Sequence, residues 1–261
     1  MSNPTLKTRL AAGELVRVFC AGRIPHPTII EMFALGGGFD GFWIDQEHAA
    51  VTYDQVVTFA LAARANGLDC FVRMAPVGYW QVTQNLEAGA RGVMAAQIHS
   101  LAEAEQFVRW AKFHPDGARG INTSGRDADY TYKSQADFAA SANRDHLVAI
   151  QIESKAAVDA ADAIAALAGV DMLFVGPADL SLSLGIVGEF HSDKLWEAIA
   201  RVGVACRKHG KSWGAVVPDA KFAERAVENG CRMLSIGNDI LALRRGVEAL
   251  KQGFAQHFVE R

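Results

Sequence analysis

Apolar residues in this chain follow two alternating patterns. Short runs occupy residues 15–20, 41–46, 70–74, 92–95, 147–152, 172–175, 212–216 and 233–236. They are rich in Val, Ile, Leu and Phe and show almost no polar alternation, which predicts strands buried on both faces of a parallel sheet. Between them lie stretches with helical spacing. In residues 52–66, Val56, Phe59, Ala60 and Ala63 share one face, and Thr52 and Gln55 stand at capping-box separation. Residues 101–112 repeat the spacing with Ala104, Phe107, Val108 and Ala111, and further helices are predicted over 156–167, 194–209 and 220–229. Gly67, Gly169, Gly210 and Gly230 follow four of these stretches as helix stops.

Eight strand runs alternating with helices predict a parallel sheet with helices outside. At 261 residues the chain has the length of one (β/α)₈ barrel, about 250 residues, and it carries no linker or composition shift, so 1–261 is read as one barrel domain. Periodicity alone does not establish that the sheet closes. Two tracts depart from the repeat. Residues 113–145 are long and polar and are expected to form a functional or flexible loop, and residues 182–193 interrupt the sixth helical unit.

Composition narrows the function. Lys+Arg 26 against Asp+Glu 29 leaves a net charge of −3, which provides no basic footprint for nucleic acid and no polybasic membrane patch. No apolar run approaches the ~20 residues of a spanning helix, and residues 1–15 lack a signal-peptide core. Cys20, Cys70, Cys206 and Cys231 form no CxxC pair, so reduced thiols and a cytoplasmic location are expected.

In a parallel barrel the reactive groups sit at the carboxyl ends of strands. Strand 2 ends in Asp45-Gln46-Glu47-His48, strand 3 in Arg73, strand 5 in Gln151-Ile152-Glu153 and strand 6 in Gly176-Pro177-Ala178-Asp179. Strands 4, 7 and 8 end blandly, in Ala96-Gln97, Val217-Pro218 and Gly237-Asn238. Glu153 and Asp179, on neighbouring strand ends, can share a hard divalent cation, although Asp179 equally suits an ordinary helix N-cap. The helix start at Gly176–Asp179 suits a substrate carboxylate. His48 suits proton transfer, or is a loop histidine bonded to a neighbour. Arg73 can face a developing enolate oxygen, or serve as a structural ion-pair partner. There is no dinucleotide fingerprint, P-loop or nucleophile elbow, and no lysine stands at a strand end for an imine. Lys155 comes nearest and is expected to face outward. A metal-dependent route to an enolate is therefore preferred.

Five ordered blocks resemble the HpcH/HpaI aldolase/citrate lyase family. They are GFDGFWIDQEHA at 38–49, Val72-Arg73 with Asn85 to Ala90, Pro115 to Gly120, Gln151 to Ser154, and Val175 to Ser181. The resemblance implies a class II pyruvate aldolase on a (β/α)₈ barrel. It implies Mg²⁺, Mn²⁺ or Co²⁺ on Glu153 and Asp179, Arg73 polarising the 2-oxo group, and His48 as base oriented by Glu87. It places Gln151 in the pocket and the main chain of Gly176, Pro177, Ala178 and Asp179 on the substrate carboxylate. The implied partners are a 2-oxo acid such as pyruvate or hydroxypyruvate and an aldehyde. The implied assembly is a homohexamer with exchanged C-terminal helices, and the apolar spacing of Leu241, Leu243, Val247, Leu250 and Phe254 makes that segment a packing helix. Gln46 and Ala95-Ala96-Gln97 depart from the family pattern, so the acceptor aldehyde stays open. The alternatives are an acyl-CoA lyase of the citrate lyase type, a sugar-phosphate isomerase barrel and a non-catalytic 2-oxo acid binder.

Overall fold

The computed structural model describes residues 4–258. After α1 (Leu6–Ala11) the chain runs through β1 (Val16–Ala21), α2 (Pro27–Gly36), β2 (Gly41–Asp45), α3 (Tyr53–Ala65) and β3 (Asp69–Met74). It continues through α4 (Tyr79–Glu87), β4 (Gly92–Ala95), α5 (Leu101–Ala111), α6 (Gln135–Asp145), β5 (Leu147–Ile152), α7 (Lys155–Ala166) and β6 (Met172–Val175). The last part is α8 (Pro177–Ser183), α9 (Asp193–Lys208), β7 (Ser212–Val216), α10 (Ala220–Glu228), β8 (Met233–Asn238) and α11 (Asp239–Gly253). The eight strands form a closed barrel in sequence order. Closure comes from β8 pairing in parallel with β1, Val16 opposite Met233 and Arg17 opposite Leu234.

Side chains alternate across a strand, so every second residue points into the barrel. Val16, Val18, Trp43, Phe71, Met94, Leu147, Ala149, Met172, Phe174 and Met233 pack together as that interior. The intervening residues, among them Phe42, Ile44, Val72, Ile150 and Leu173, join the larger core beneath the helices. Leu6 and Leu10 of α1 pack with the interior set and plug the amino-terminal mouth, where Leu6 N–H donates to Asp69 Oδ2 at 2.8 Å. The same parity, carried to the other end of each strand, turns Cys20, Asp45, Arg73, Gln151 and Glu153 toward the open mouth.

The capping box of Thr52 with Gln55 forms as expected, and a second one joins Ser100 and Glu103. Two expectations need correction. The tract 113–145 is not one loop, because its end is the 11-residue helix α6, capped by Ser134. Phe138 and Ala142 of α6 pack with Phe113 and Ala128 in a small separate core, so only a narrow apolar stripe marked the helix. The side chain of Asp179 is not an N-cap either. Gly176 occupies that position in α8 and Asp179 lies within the first turn.

Candidate active site

Arg73 and Asp45 are register partners on β3 and β2. Asp45 Oδ1 accepts from Arg73 Nε at 3.2 Å and lies 2.9 Å from Nη2. The same oxygen accepts the main-chain N–H groups of Glu47 at 3.0 Å and His48 at 3.2 Å, so one carboxylate folds the turn after β2 and holds the guanidinium. Glu47 Oε2 stands 3.1 Å from Arg73 Nη1, an ion pair without hydrogen-bond alignment. Both side chains of that pair are buried, at 8% and 7% exposure. Burying charges is costly unless they are paired and hydrogen-bonded. Arg73 meets both conditions and is thereby immobilised.

Glu153 lies one residue beyond β5. Its Oε1 accepts Gln97 N–H at 2.7 Å, and its Oε2 accepts from Gln151 Nε2. Gln97 also donates its side-chain amide to Glu47 Oε1 at 3.0 Å, linking the two acids. Its φ of 56° lies in the left-handed region that non-glycine residues enter at a cost, and this conformation accompanies its N–H bond to Glu153. The end of β4, expected to be bland, therefore supplies the main-chain donor that anchors Glu153. Gly176 makes room for the pair. A Cβ there would stand 2.8 Å from Gln151 Nε2 and 3.2 Å from Glu153 Oε2.

Burial pushes the Glu153 carboxyl above the usual carboxylate range, and the charges of Glu47 and Asp179 push it further. The Gln97 N–H and the charge of Arg73 act the other way. Asp179, half-buried in the first turn of α8, is thus within electrostatic reach of Glu153. Acids crowded this way favour a cation. Gln151 Oε1 is buried with no hydrogen-bond partner, a further unused oxygen at the same place. Among the described residues no three His, Cys, Asp or Glu side chains cluster at metal-ligand spacing. The donor set is two carboxylates, hard oxygen ligands that fit a divalent ion of the Mg²⁺ or Mn²⁺ type and not a cage of soft ligands.

His48 is at the rim, with a side chain 57% exposed and Nε2 3.9 Å from Glu47 Oε2. Among the described residues Glu87 makes no hydrogen bond or ion pair with His48. The helix α4 leaves the mouth after β3 and runs back along the outside, so Glu87 at its end is carried away from the rim. Glu87 Oε2 instead accepts from Asn122 Nδ2 at 3.3 Å, and its charge acts on Tyr53. The expected pairing of Glu87 with His48 is absent within the described chain. Of the anion-binding segment, Gly176 and Pro177 are buried and Ala178 is exposed.

A family model described as HpcH/HpaI aldolase/citrate lyase matches residues 18–245, from β1 into α11 and through every block of the rim. The chain belongs to the HpcH/HpaI aldolase/citrate lyase family. It is accordingly a carbon–carbon lyase. It is 30% identical over 248 residues to the 5-keto-4-deoxy-D-glucarate aldolase of Shigella boydii serotype 18, covering 95% of each chain. The crystal structure of the HpcH/HpaI aldolase from Desulfitobacterium hafniense DCB-2 superposes with a TM-score of 0.88 at 32% identity, covering 95% of this chain and 97% of that one. The citrate synthase SbnG superposes with a TM-score of 0.86 at 28% identity, covering 97% and 98%.

Within this HpcH/HpaI barrel, sequence reasoning gave no role to Asp45, Glu47, Trp43 or Gln97. Asp45 and Glu47 were findable, because inward parity and strand register put them against Arg73. The role of Gln97 rests on its main-chain N–H, which no residue type announces.

Proposed function

We propose that this chain catalyses the reversible aldol reaction of pyruvate, or a related 2-oxo acid such as hydroxypyruvate, with an aldehyde. The supporting observation is the juxtaposition of an immobilised guanidinium, Arg73, with the crowded carboxylates of Glu153 and Asp179. Glu153 and Asp179 would hold a divalent cation (Mg²⁺, Mn²⁺ or Co²⁺), which when bound supplies Lewis acidity toward the 2-oxo carbonyl. The first turn of α8, from Gly176 through Pro177 and Ala178 to Asp179, takes the substrate carboxylate, and Gln151 lines the pocket beside it.

His48 receives the proton from C3 of the 2-oxo acid. The C3–H electron pair moves into the C2–C3 bond, and the carbonyl pair moves onto the C2 oxygen. Arg73 faces that developing charge with a fork fixed before the reaction starts, so stabilisation needs little reorganisation. C3 then attacks the aldehyde carbon, and the new alkoxide recovers a proton. Cleavage runs through the same steps backwards. Glu47 Oε2 stands 3.9 Å from His48 Nε2, beside the proton's path.

The matched curated relative is an aldolase, which favours this reading over the acyl-CoA lyase alternative. Its named substrate, 5-keto-4-deoxy-D-glucarate, is the first compound to test for cleavage. In the same reading the protein works in the cytoplasm as a homohexamer. The four free cysteines support the location. The exposed apolar residues Leu243, Val247 and Leu250 of α11 support the assembly.

The test is to incubate the protein with pyruvate or hydroxypyruvate and a panel of aldehydes in the presence of Mn²⁺. Formation of 4-hydroxy-2-oxo acids is expected. Absence of any product together with absence of pyruvate proton exchange would remove the proposal.

A further inference from the structure

A cavity of about 380 Å³ opens at the mouth between β1 and β8, its wall including Cys20, Gly22, Arg23, Asp45, Asp239 and Arg244. Asp45 is also the residue that holds Arg73, so this cavity shares a wall residue with the candidate active site.

Both acids on the wall are committed. Asp45 holds Arg73 and the turn after β2. Asp239 Oδ2 accepts the main-chain N–H groups of Gly22 at 3.0 Å, Arg23 at 2.8 Å and Ile24 at 2.8 Å, while Oδ1 accepts Ile240 N–H at 2.9 Å. The two arginines are not committed. Among the described residues neither guanidinium makes a hydrogen bond or an ion pair, and both residues are exposed.

An exposed arginine without a partner is ordinary. Two on the wall of one cavity, where the local acids already have their hydrogen bonds, leave two sets of guanidinium donors unused around one concave space. They are also built in. Asp239 pins the loop that carries Arg23, and it starts the helix that carries Arg244. Cys20, the inward-facing residue near the end of β1, lines the same cavity. Guanidinium groups bind carboxylate and phosphate oxygens through paired N–H donors.

We infer that Arg23 and Arg244 are specificity-determining residues that bind an anionic terminus, carboxylate or phosphate, on the acceptor aldehyde. The inference rests on the aldolase reading. The 2-oxo acid occupies the Glu153–Asp179 side of the rim, and the acceptor extends from the new C–C bond toward β1 and β8.

The test compares kcat/KM, with pyruvate as donor, for acceptors matched in length. A four-carbon aldehyde acid is set against the neutral four-carbon aldehyde, and glyceraldehyde 3-phosphate against glyceraldehyde. The wild type is expected to prefer the charged member of at least one pair, and the pair identifies the anion. That preference falls about tenfold in Arg23→Ala and in Arg244→Ala, the scale of one lost charge-assisted hydrogen bond, and reverses in Arg23→Glu. A charged-to-neutral ratio that is the same in wild type and all three variants overturns the inference. Deuterium exchange at C3 of pyruvate, which needs no acceptor, is measured on the wild type alongside. Its presence with an unmoved ratio overturns the inference alone, and its absence overturns the aldolase reading with it.

Discussion

The guanidinium carbon of Arg73 lies 4.7 Å from the centroid of the Trp43 ring. Trp43 is itself fixed by a 2.8 Å hydrogen bond from its Nε1 to Ser235 Oγ of β8, past the intervening β1. Arg73 therefore rests on an aromatic floor between two acids. A desolvated cation over an aromatic face gains about 0.5–2 kcal/mol.

That seat makes graded predictions. Trp43→Leu keeps an apolar interior but removes the ring face, and is expected to lower kcat/KM about 2- to 30-fold, the range that stabilisation spans. Arg73→Ala removes the donor itself and is expected to cost about 10²–10³ in kcat, as loss of an oxyanion donor does. Arg73→Lys, which retains charge without the fork, falls between them. Steady-state rates of aldol cleavage check the order. A Trp43→Leu enzyme as impaired as Arg73→Ala would mean that Trp43 acts through the barrel core and not through Arg73.

Much of this fold is legible in the chain. Strands buried on both faces betray themselves as unbroken apolar runs, and the runs over 92–95, 147–152, 172–175 and 212–216 match β4, β5, β6 and β7 residue for residue. Closure was indicated by the count of eight units and the chain length and not by periodicity, because the pairing of β8 with β1 across more than two hundred residues leaves no local mark. The helix α6 was hidden by its polar composition. At the site, Glu153, Asp179 and Arg73 stand out as polar residues where apolar runs stop. Gln97 does not, since what it contributes to Glu153 is a peptide N–H. The pairing of Glu87 with His48 is implied by the family resemblance alone, and no residue pattern in the chain marks it.

Gly176 is a steric prediction. Adding a methyl group puts a Cβ against Gln151 Nε2 and Glu153 Oε2. Gly176→Ala should displace both side chains and weaken divalent-cation binding about 10- to 100-fold, the usual cost of losing the support of a metal ligand. Titration calorimetry with Mn²⁺ checks this, and an unchanged affinity would show that the Gln151–Glu153 contact is dispensable.

A pH prediction comes from the opposite end of the barrel. His146 is buried and its Nδ1 has no partner. Burial holds its pKa well below the ordinary value, and the positive charges of Arg119, Lys112, Arg91 and Lys7 act in the same direction. Below about pH 6.5 the unfolded chain takes up a proton that the folded one refuses, so stability is lost as pH falls toward the folded pKa. The contribution approaches about 1.4 kcal/mol per pH unit once the unfolded histidine is fully protonated. Urea unfolding at pH values from about 7.5 to about 5 should show a shallower loss in His146→Leu than in the wild type. Parallel slopes would mean that His146 is protonated in the folded state.

The central claim is that Glu153 and Asp179 hold a divalent cation beside Arg73, and that the three together acidify C3 of a bound 2-oxo acid. Deuterium incorporation into the methyl group of pyruvate in D₂O tests it most directly, with no acceptor aldehyde present. Exchange is expected to stop after complete chelation with EDTA, to return when Mn²⁺ is added, and to stay absent in Glu153→Gln at the same Mn²⁺ concentration. Exchange that persists undiminished in the fully chelated protein would contradict the claim.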